Sequence, residues 1–442
     1  SFSSKGVHEA ITKAIEKVYS TKNLRFSTNK PVSLFEERDP KNNLPAYIQI
    51  YDQEPVLPEN ITIADEDLRY HFLCCAKGGG SSNKTEFVQG TKANLTPDNF
   101  RTFLTEKIAK LGTSACPPYT ISVVVGGLSP EQNLTVLKLS TSGYYDDIGL
   151  AKKRLPPDSF RDTEWEQNVL DIAHKTGLGA QFGGTALAVD SRVIRLPRHG
   201  ASCPLSIGVS CSAHRNLEVI VTQKGYYLQK TVEDPSTLPG YKEALEISNS
   251  HKDVEILLNT DKGIDSCLQQ LSNIEIGQRL LISGKIVVAR DAAHARWKAL
   301  VDQGLPLPSY TKQYPIWYAG PAETPKGHST GSIGPTTAGR MDSYSDLLLS
   351  KGASLIMIAK GNRSNLCKDA CKKYGGFYLG NIGGAAALIA SKYIQKVTVI
   401  DYPELGMEAV RLIEVDKIPA FLLIDNKGND FYERTKTKIL FS

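Results

Sequence analysis

The C-terminal part of the chain contains short apolar runs and a helix-like segment between them. Of all features of the sequence, this pattern constrains the fold most. The strand-like runs are Leu355–Ala359, Gly376–Leu379, Thr398–Ile400 and Ala420–Ile424, and the helix is Ala385–Ile394. Strands that are apolar throughout are buried on both faces, which requires helices to cover the sheet. The pattern therefore predicts an α/β domain with buried strands.

The first half of the chain mixes both periodicities. Helices are predicted at residues 7–22, from Thr96 as N-cap to Leu111, and at Glu164–Thr176 before the glycine-rich stretch 177–184. Strands are predicted at Asn43–Ile50, Tyr70–Ala76 and Tyr119–Val125. Residues 52–68 resemble a polar surface excursion.

Residues 233–251 lose all periodicity and indicate a linker. Beyond it, strands are predicted at Val254–Leu258 and Arg279–Val288, and Asp291 is expected to cap a helix over residues 292–300. The tract 320–344 has almost no apolar side chains, and an irregular segment of that length within a compact domain is typically functional or disordered.

Composition excludes several classes of protein. No apolar run approaches the ~18 residues of a membrane span, and a net charge of +5 is too small to indicate nucleic-acid binding. Eight cysteines in 442 residues are too few for a disulfide scaffold and favour a reducing compartment. The only methionines are Met341, Met357 and Met407, so Ser1 is not expected to be the natural translation start.

The segment Lys77–Thr85 nearly spells a phosphate-binding loop, but Asn83 replaces its last glycine. A nest of backbone N–H groups for a carboxylate or phosphate is a broader interpretation, and a simple glycine turn between strands is the structural alternative. Gly375–Gly384 before the predicted helix allows the same choice between an anion site and packing glycines.

Two cysteines precede proline, Cys116 and Cys203. This pairing is common around iron–sulfur clusters, although buried structural thiols are the more frequent outcome. A nucleophilic Cys203 assisted by His199 is a third possibility.

Arg290 and Lys360 follow apolar strands, at the edge where open α/β sheets bind ligands, and Arg340 lies in the irregular tract. Three cations there would suit a dicarboxylate, whereas solvated surface charges are the alternative.

Seven segments taken together resemble class I (iron–sulfur) fumarate hydratase over nearly the whole chain. They are Lys77–Thr85, Gly112–Tyr119, Gly177–Gly184, Arg192–Cys211, Gly320–Tyr344, Ala359–Ser364 and Tyr402–Glu408. The resemblance implies a homodimeric hydro-lyase that interconverts fumarate and (S)-malate at a [4Fe-4S] cluster whose open iron acts as a Lewis acid. Neither a nucleic-acid nor a membrane partner is expected, and the compartment would be cytoplasmic or mitochondrial.

The same resemblance implies the architecture, an α/β fold with a mixed α+β N-terminal domain and a swivelling C-terminal α/β domain. Residues 1–230 would bind the cluster, residues 231–253 would form the linker, and residues 254–442 would contribute substrate contacts.

The resemblance also assigns residues to the site. Cys116 and Cys203 fall on cluster-ligand positions. The substrate contacts it implies are Arg25, Gly79, Gly80, Arg290, Thr336, Arg340 and Lys360. Thr336, beside Arg340, occupies the position of the candidate base, and His199 is a candidate proton relay.

One family motif is absent, the Cys-Gln-Asp-Thr-Gly-Thr segment that carries the first cluster cysteine. Its place by spacing is upstream of Ser1, so an N-terminally incomplete enzyme is expected. Cys74, Cys75 and Cys211 are possible substitutes. The alternatives are a non-catalytic, truncated fumarase-like protein and a related hydro-lyase that acts on tartrate or mesaconate.

Overall fold

A computed structural model describes residues 4–51, 56–57, 68–213, 215–243, 246 and 255–434. Most of the predicted excursion 52–68, the end of the predicted linker and the last eight residues lie outside these ranges.

The helices of the described chain follow in order. They are α1 (Ser4–Thr21), α2 (Gly79–Ser82), α3 (Pro97–Leu111), α4 (Pro130–Ser140), α5 (Ile148–Arg154), α6 (Thr163–Lys175), α7 (Ile264–Ser272), α8 (Asp291–Asp302), α9 (Tyr310–Gln313), α10 (Asp342–Ser350), α11 (Asn365–Tyr374) and α12 (Ala386–Tyr393).

The strands of the first half are β1 (Lys30–Pro31), β2 (Glu37–Arg38), β3 (Leu68–Cys75), β4 (Glu86–Gly90), β5 (Tyr119–Gly127), β6 (Phe160–Arg161), β7 (Ala188–Arg198), β8 (Cys203–Ser210), β9 (Asn216–Thr222) and β10 (Gly225–Leu228). Those of the second half are β11 (Ile256–Asn259), β12 (Arg279–Val288), β13 (Ile316–Trp317), β14 (Ile356–Ala359), β15 (Phe377–Asn381), β16 (Ile394–Asp401) and β17 (Val410–Ile424).

A five-stranded sheet in the order β4-β8-β5-β7-β6 organises the first half. Its centre is the apolar strand β5, which pairs with β7 in parallel and with β8 in antiparallel orientation. Thr120 pairs with Ser210 and Val125 with Leu205. This register places the chain just before β5 beside the chain just after β8. A separate antiparallel sheet has the order β10-β9-β3.

The second half contains a seven-stranded sheet in the order β11-β12-β13-β14-β15-β17-β16. The strands β11 to β15 pair in parallel, as expected for buried apolar runs. Because the long strand β17 also pairs with β12, the strands β12, β13, β14, β15 and β17 close into a ring. The α/β class predicted from the sequence is confirmed.

One hydrophobic core extends through both halves. It includes Val123 of β5, Val287 of β12 and Met357 of β14, all with no exposed surface. Burying such a side chain contributes roughly 1.5–3 kcal/mol to the free energy of folding. The shared core therefore stabilises the packing of the two halves against each other.

Several predicted elements form as expected. Helix α1 matches residues 7–22 closely, the Thr96 hydroxyl accepts from the Asn99 N–H at the start of α3, and β12 has the predicted bounds. The predicted strand Asn43–Ile50 is wrong, because Pro45 supplies no ladder N–H and no described strand pairs with it. Asp291 is the first helical residue of α8 rather than its cap, and its carboxylate instead binds Arg340.

Candidate functional site

A cleft of about 4580 Å³ lies between the two halves. One wall consists of the apolar face of α1 and the glycine-rich turn after β3. The opposite wall consists of residues that follow β12 and β14, together with the irregular tract 320–344. The C-terminal edge of the parallel strands therefore faces the cleft, as the general rule for α/β sheets predicts.

Cys116 and Lys360 meet at the floor of this cleft. Cys116 lies in the turn before β5, is 5% exposed and has a φ of 64°. The ammonium nitrogen of Lys360, which directly follows β14, donates to the Cys116 sulfur at 2.7 Å. The contact therefore joins the two halves at one point.

Cys211 lies beside Cys116, and Cys203 does not. The sheet register places residue 211, just after β8, next to the turn before β5, and the Ser212 N–H donates to the Cys116 carbonyl at 3.0 Å. Cys211 is half-buried and lines the cleft. Cys203 begins β8, roughly 25 Å away by strand rise, and is fully buried in the hydrophobic core.

The prediction for Cys203 is therefore corrected. Burial raises the pKa of its thiol, against the opposing effect of nearby arginines. A neutral thiol in an apolar core is the ordinary structural role of cysteine, and the Cys-Pro pair alone could not distinguish it from a ligand. The pairing of β5 with β8 is the observation that puts Cys211, rather than Cys203, next to Cys116.

Three arginines, Arg25, Arg290 and Arg340, lie close together in the cleft. Arg25 comes from the irregular segment after α1, which is fixed where the Asn43 side chain accepts from the Ser27 N–H at 2.9 Å. The Arg25 side chain keeps access to solvent in the open cleft. Even so, partial burial and the positive charges of Arg290 and Arg340 lower its pKa to about 10. The mutual repulsion of these groups favours an anionic ligand between them.

Glu408 fixes Arg290. One oxygen of its carboxylate lies 2.8 Å from the Arg290 guanidinium, and the other accepts from the Ala292 N–H at 2.7 Å in the first turn of α8. The Arg290 Nε is buried and has no hydrogen-bond partner in the described structure. A β-carbon at Gly320 would lie 3.3 Å from that nitrogen, so a larger residue there would crowd the guanidinium.

Thr336 and Arg340 form a second linked pair. The Arg340 guanidinium donates to the Thr336 hydroxyl oxygen at 2.6 Å and to the Asp291 carboxylate at 2.9 Å. The Thr336 backbone is held between the carbonyl of Tyr318 and the N–H of Lys360. The hydroxyl oxygen thus accepts from a cation, which would stabilise negative charge on that oxygen.

Behind this pair, a buried ion pair supports the tract. Asp342 binds the guanidinium of Arg363 and accepts from the Ser364 N–H at 2.7 Å, and Arg363 also donates to Ser345 at 3.0 Å. Arg363 stacks over the rings of two tyrosines. The Asp342 carboxylate therefore supports the tract 320–344 from behind.

Gly79 and Gly80 lie in the short helix α2 and line the cleft. A β-carbon at Gly80 would lie 3.5 Å from the Ala115 backbone, so this turn packs against the residue before Cys116. Lys77 precedes it and donates to the Thr141 hydroxyl at 3.0 Å. Burial and nearby Lys138 lower the pKa of Lys77 to about 8, an effect that Cys75 and Cys211 oppose.

His199 lies outside the cleft. It is exposed in the turn between β7 and β8, and its Nδ1 accepts from the Ala201 N–H at 3.2 Å. This turn lies at the Cys203 end of β8, away from Cys116. The structure therefore does not bring the predicted proton relay to the other site residues.

Glu408 and Asp291 are the cleft residues whose roles sequence reasoning missed. Glu408 lies in one of the quoted motifs, Tyr402–Glu408, but nothing in that motif indicates its arginine partner. The sequence predicts Asp291 only as the cap of a helix. Only the folded chain shows that each carboxylate orients a guanidinium.

Fold and site together define an α/β protein whose halves enclose a cationic, thiol-containing cleft. The family model described as "Fumarate hydratase (Fumerase)" matches residues 1–220, and the one described as "Fumarase C-terminus" matches residues 225–435. The chain belongs to the class I fumarate hydratase family, and the predicted membership of this hydro-lyase family is confirmed.

Individual relatives agree with this membership. The anaerobic class I fumarate hydratase of Escherichia coli is 47% identical over 98% of this chain and 76% of its own length. Fumarate hydratase 1, mitochondrial, of Leishmania major is 46% identical over 96% of this chain and 72% of its own length. A putative L(+)-tartrate dehydratase subunit beta of Methanocaldococcus jannaschii is 30% identical over 39% of this chain and 90% of its own length.

Proposed function

We propose that the protein catalyses the reversible hydration of fumarate to (S)-malate with the help of a [4Fe-4S] cluster. The observation that carries the proposal is the meeting of Cys116 with Lys360 at 2.7 Å on the floor of a cleft that also holds three arginines. This proximity supports the proposal, because thiols bind metal and cations bind carboxylates.

Two cysteines of the cleft supply thiols, which are the protein ligands that iron–sulfur clusters use. Cys116 and Cys211 would hold the cluster, because both line the cleft where β5 begins and β8 ends. The described part of the chain thus offers two thiols to the cluster. Within it, no group of three or more His, Cys, Asp or Glu side chains could hold a metal ion. When bound, a cluster with an open iron supplies a Lewis acid for the malate hydroxyl.

The cations would bind the two carboxylates of the substrate. Arg290 offers a buried Nε without a partner, and its orientation is fixed by Glu408. Arg340 and Lys360 lie near Thr336. Arg25, from the first half of the chain, completes the group of cations. Guanidinium groups bind carboxylates through paired hydrogen bonds, which would orient the carbon–carbon double bond within the cleft.

Thr336 would handle the proton on carbon. In the dehydration direction the base removes a proton from the carbon next to the one that bears the hydroxyl, and the reverse step returns it. A threonine hydroxyl is a weak base, so the Arg340 guanidinium that donates to its oxygen would stabilise the charge it needs.

The testing experiment is anaerobic reconstitution with iron and sulfide, followed by measurement of visible absorbance and of fumarate hydration. Tartrate and mesaconate serve as competing substrates in the same assay. We expect a cluster absorbance band and fumarate as the preferred substrate. Preference for tartrate or mesaconate would reassign the substrate, and absence of turnover with all three would contradict the enzymatic proposal.

Wider features follow the same proposal. We infer a homodimer in a reducing compartment, cytoplasmic or mitochondrial, and the eight cysteines, all unpaired, support the compartment. Within the described ranges, no helix combines the length and apolarity needed to cross a bilayer. The proposed division into residues 1–230, a linker and residues 254–442 is supported by the seven-stranded sheet, whose strands all follow residue 255.

A further inference from the structure

Gln181 has a backbone conformation that favours glycine. It lies in the loop 177–184, where four glycines have positive φ, yet position 181 has a φ of 128° and is a glutamine. A non-glycine residue with this φ is strained, and such strain persists only where surrounding contacts over-determine it. The side chain must therefore contribute something that glycine cannot.

The carboxamide of Gln181 bridges two loops from different halves of the chain. Its Oε1 accepts from the Gly383 N–H at 2.7 Å, and its Nε2 donates to the Gly383 carbonyl at 3.2 Å. The same Nε2 donates to the Pro117 carbonyl at 3.2 Å. The Gln181 residue is only 8% exposed, so water competes little with these bonds.

Both partners of Gln181 lie next to Cys116. Pro117 follows Cys116 directly in the chain. Gly383 lies over its sulfur, since a β-carbon built there would be 2.6 Å from Cys116 Sγ and 2.8 Å from Cδ of Lys360. The carboxamide thus ties the turn that carries Cys116 to the loop that covers it.

Neighbouring contacts fix the Gln181 backbone in place. The Tyr432 hydroxyl donates to its carbonyl, and the ring of Phe182 stacks on Phe421 with centroids 4.2 Å apart. Tyr432 and Phe421 belong to the second half, so residues 181 and 182 of the first half both contact the second half at the junction between the two halves. These contacts stabilise the strained backbone conformation of residue 181, but none of them involves the carboxamide of its side chain.

We propose that Gln181 is a positioning residue whose carboxamide clamps the Cys116 turn to the Gly383 loop and thereby sets the placement of Cys116 relative to Lys360. This role rests on the proposed function in so far as those two groups serve the reaction. The clamp itself is a property of the chain and can be tested without cluster or substrate.

The main test compares Gln181→Gly and Gln181→Met in cluster-free protein. Glycine relieves the backbone strain, and methionine keeps the length of the side chain without its hydrogen bonds. We expect the rate of iodoacetamide labelling at Cys116, followed by peptide mass spectrometry, to rise at least about tenfold in both, equivalent to about 1.4 kcal/mol. Unchanged labelling in the folded variants would overturn the clamp.

Two controls separate the clamp from general loosening. Asp158→Gly replaces another positive-φ residue in an exposed turn, and Tyr432→Phe weakens the same junction without touching Gly383 or Pro117. Both should leave Cys116 labelling near the wild-type rate. An equal increase in Tyr432→Phe would assign the effect to packing of the junction and overturn the role of the carboxamide.

Hydrogen exchange in the unaltered protein tests the clamp independently of any variant. The Gly383 amide should exchange slowly, and fast exchange would contradict the proposal. In reconstituted enzyme, Gln181→Met should raise KM for fumarate more than it lowers kcat, since the cation moves relative to the thiol. A response in labelling without any hydration by the wild type would retain the clamp and reject the proposed function.

Discussion

The ammonium nitrogen of Lys360 lies 2.7 Å from the sulfur of Cys116, although 244 residues separate the two in sequence. The contact forms because β14 ends at the cleft and the turn before β5 faces it across the junction. A charged donor and a thiol at this distance form a stronger contact than a neutral pair. The two halves thus contribute complementary groups to one site.

Replacement of the three relevant cysteines by serine should give different results. We expect Cys211→Ser and Cys116→Ser to lose cluster absorbance and bound iron after reconstitution, because both thiols line the cleft. Cys203→Ser should keep the cluster, since its side chain is buried in the core at the far end of β8. Iron analysis of the three variants checks this expectation, and loss of iron in Cys203→Ser alone would restore the assignment made from the Cys-Pro pair.

Thr336→Ala should lower kcat by about 10²–10⁴-fold, the usual contribution of a positioned acid or base. Binding of fumarate should change little, because the guanidinium of Arg340 keeps its second partner Asp291. Thr336→Ser retains a hydroxyl for Arg340 and serves as the matched control. Steady-state kinetics and fumarate titration measure the two effects, and an unchanged kcat in the alanine variant would remove Thr336 from the role of base.

Stability in acid should depend on Glu218. Burial alone would raise the pKa of this carboxyl, but hydrogen bonds from His71 and Arg154 lower it to about 2, from 4.5. Because the carboxyl pKa is lower in the folded protein than in the unfolded chain, the carboxylate stabilises the fold at pH values above 4.5. This stabilisation is lost as the pH falls from 4.5 towards 2. Urea unfolding at stepwise lower pH measures it.

Glu218→Gln is the comparison for this pH dependence. The variant should be less stable at neutral pH, and its stability should fall less steeply in acid, because glutamine does not titrate. Parallel stability curves for the two proteins would show that Glu218 is not the group that matters.

The sequence predicts local elements well because their causes are local. The Thr96 cap, the apolar run of β5 and the bounds of β12 each depend on neighbouring residues, and each forms as predicted. The strand expected at Asn43–Ile50 fails because a strand needs a partner, and pairing is not a local property.

In the site, too, features with local causes could be predicted, and features that depend on distant residues could not. Arg290, Arg340 and Lys360 follow strands or lie in the long irregular tract, and all three line the cleft. The choice between Cys203 and Cys211 required the register of β8 on β5, which places one thiol at each end of the same strand. Gln181 could not be recognised from the sequence at all, because its role depends on a carboxamide that reaches residues on both sides of the junction.

Glu408→Gln should weaken substrate binding without unfolding the protein. Its carboxylate holds the Arg290 guanidinium at 2.8 Å and the start of α8 at 2.7 Å, and glutamine keeps the second contact but loses the charge of the first. A hydrogen bond to a charged group contributes about 1.5–3 kcal/mol, so KM for fumarate should rise by about 10-fold or more. Glu404→Gln is the matched control, because Glu404 is exposed and its nearest guanidinium, that of Arg296, lies 3.8 Å away. Equal KM values for the two variants would show that Glu408 does not orient Arg290 for the substrate.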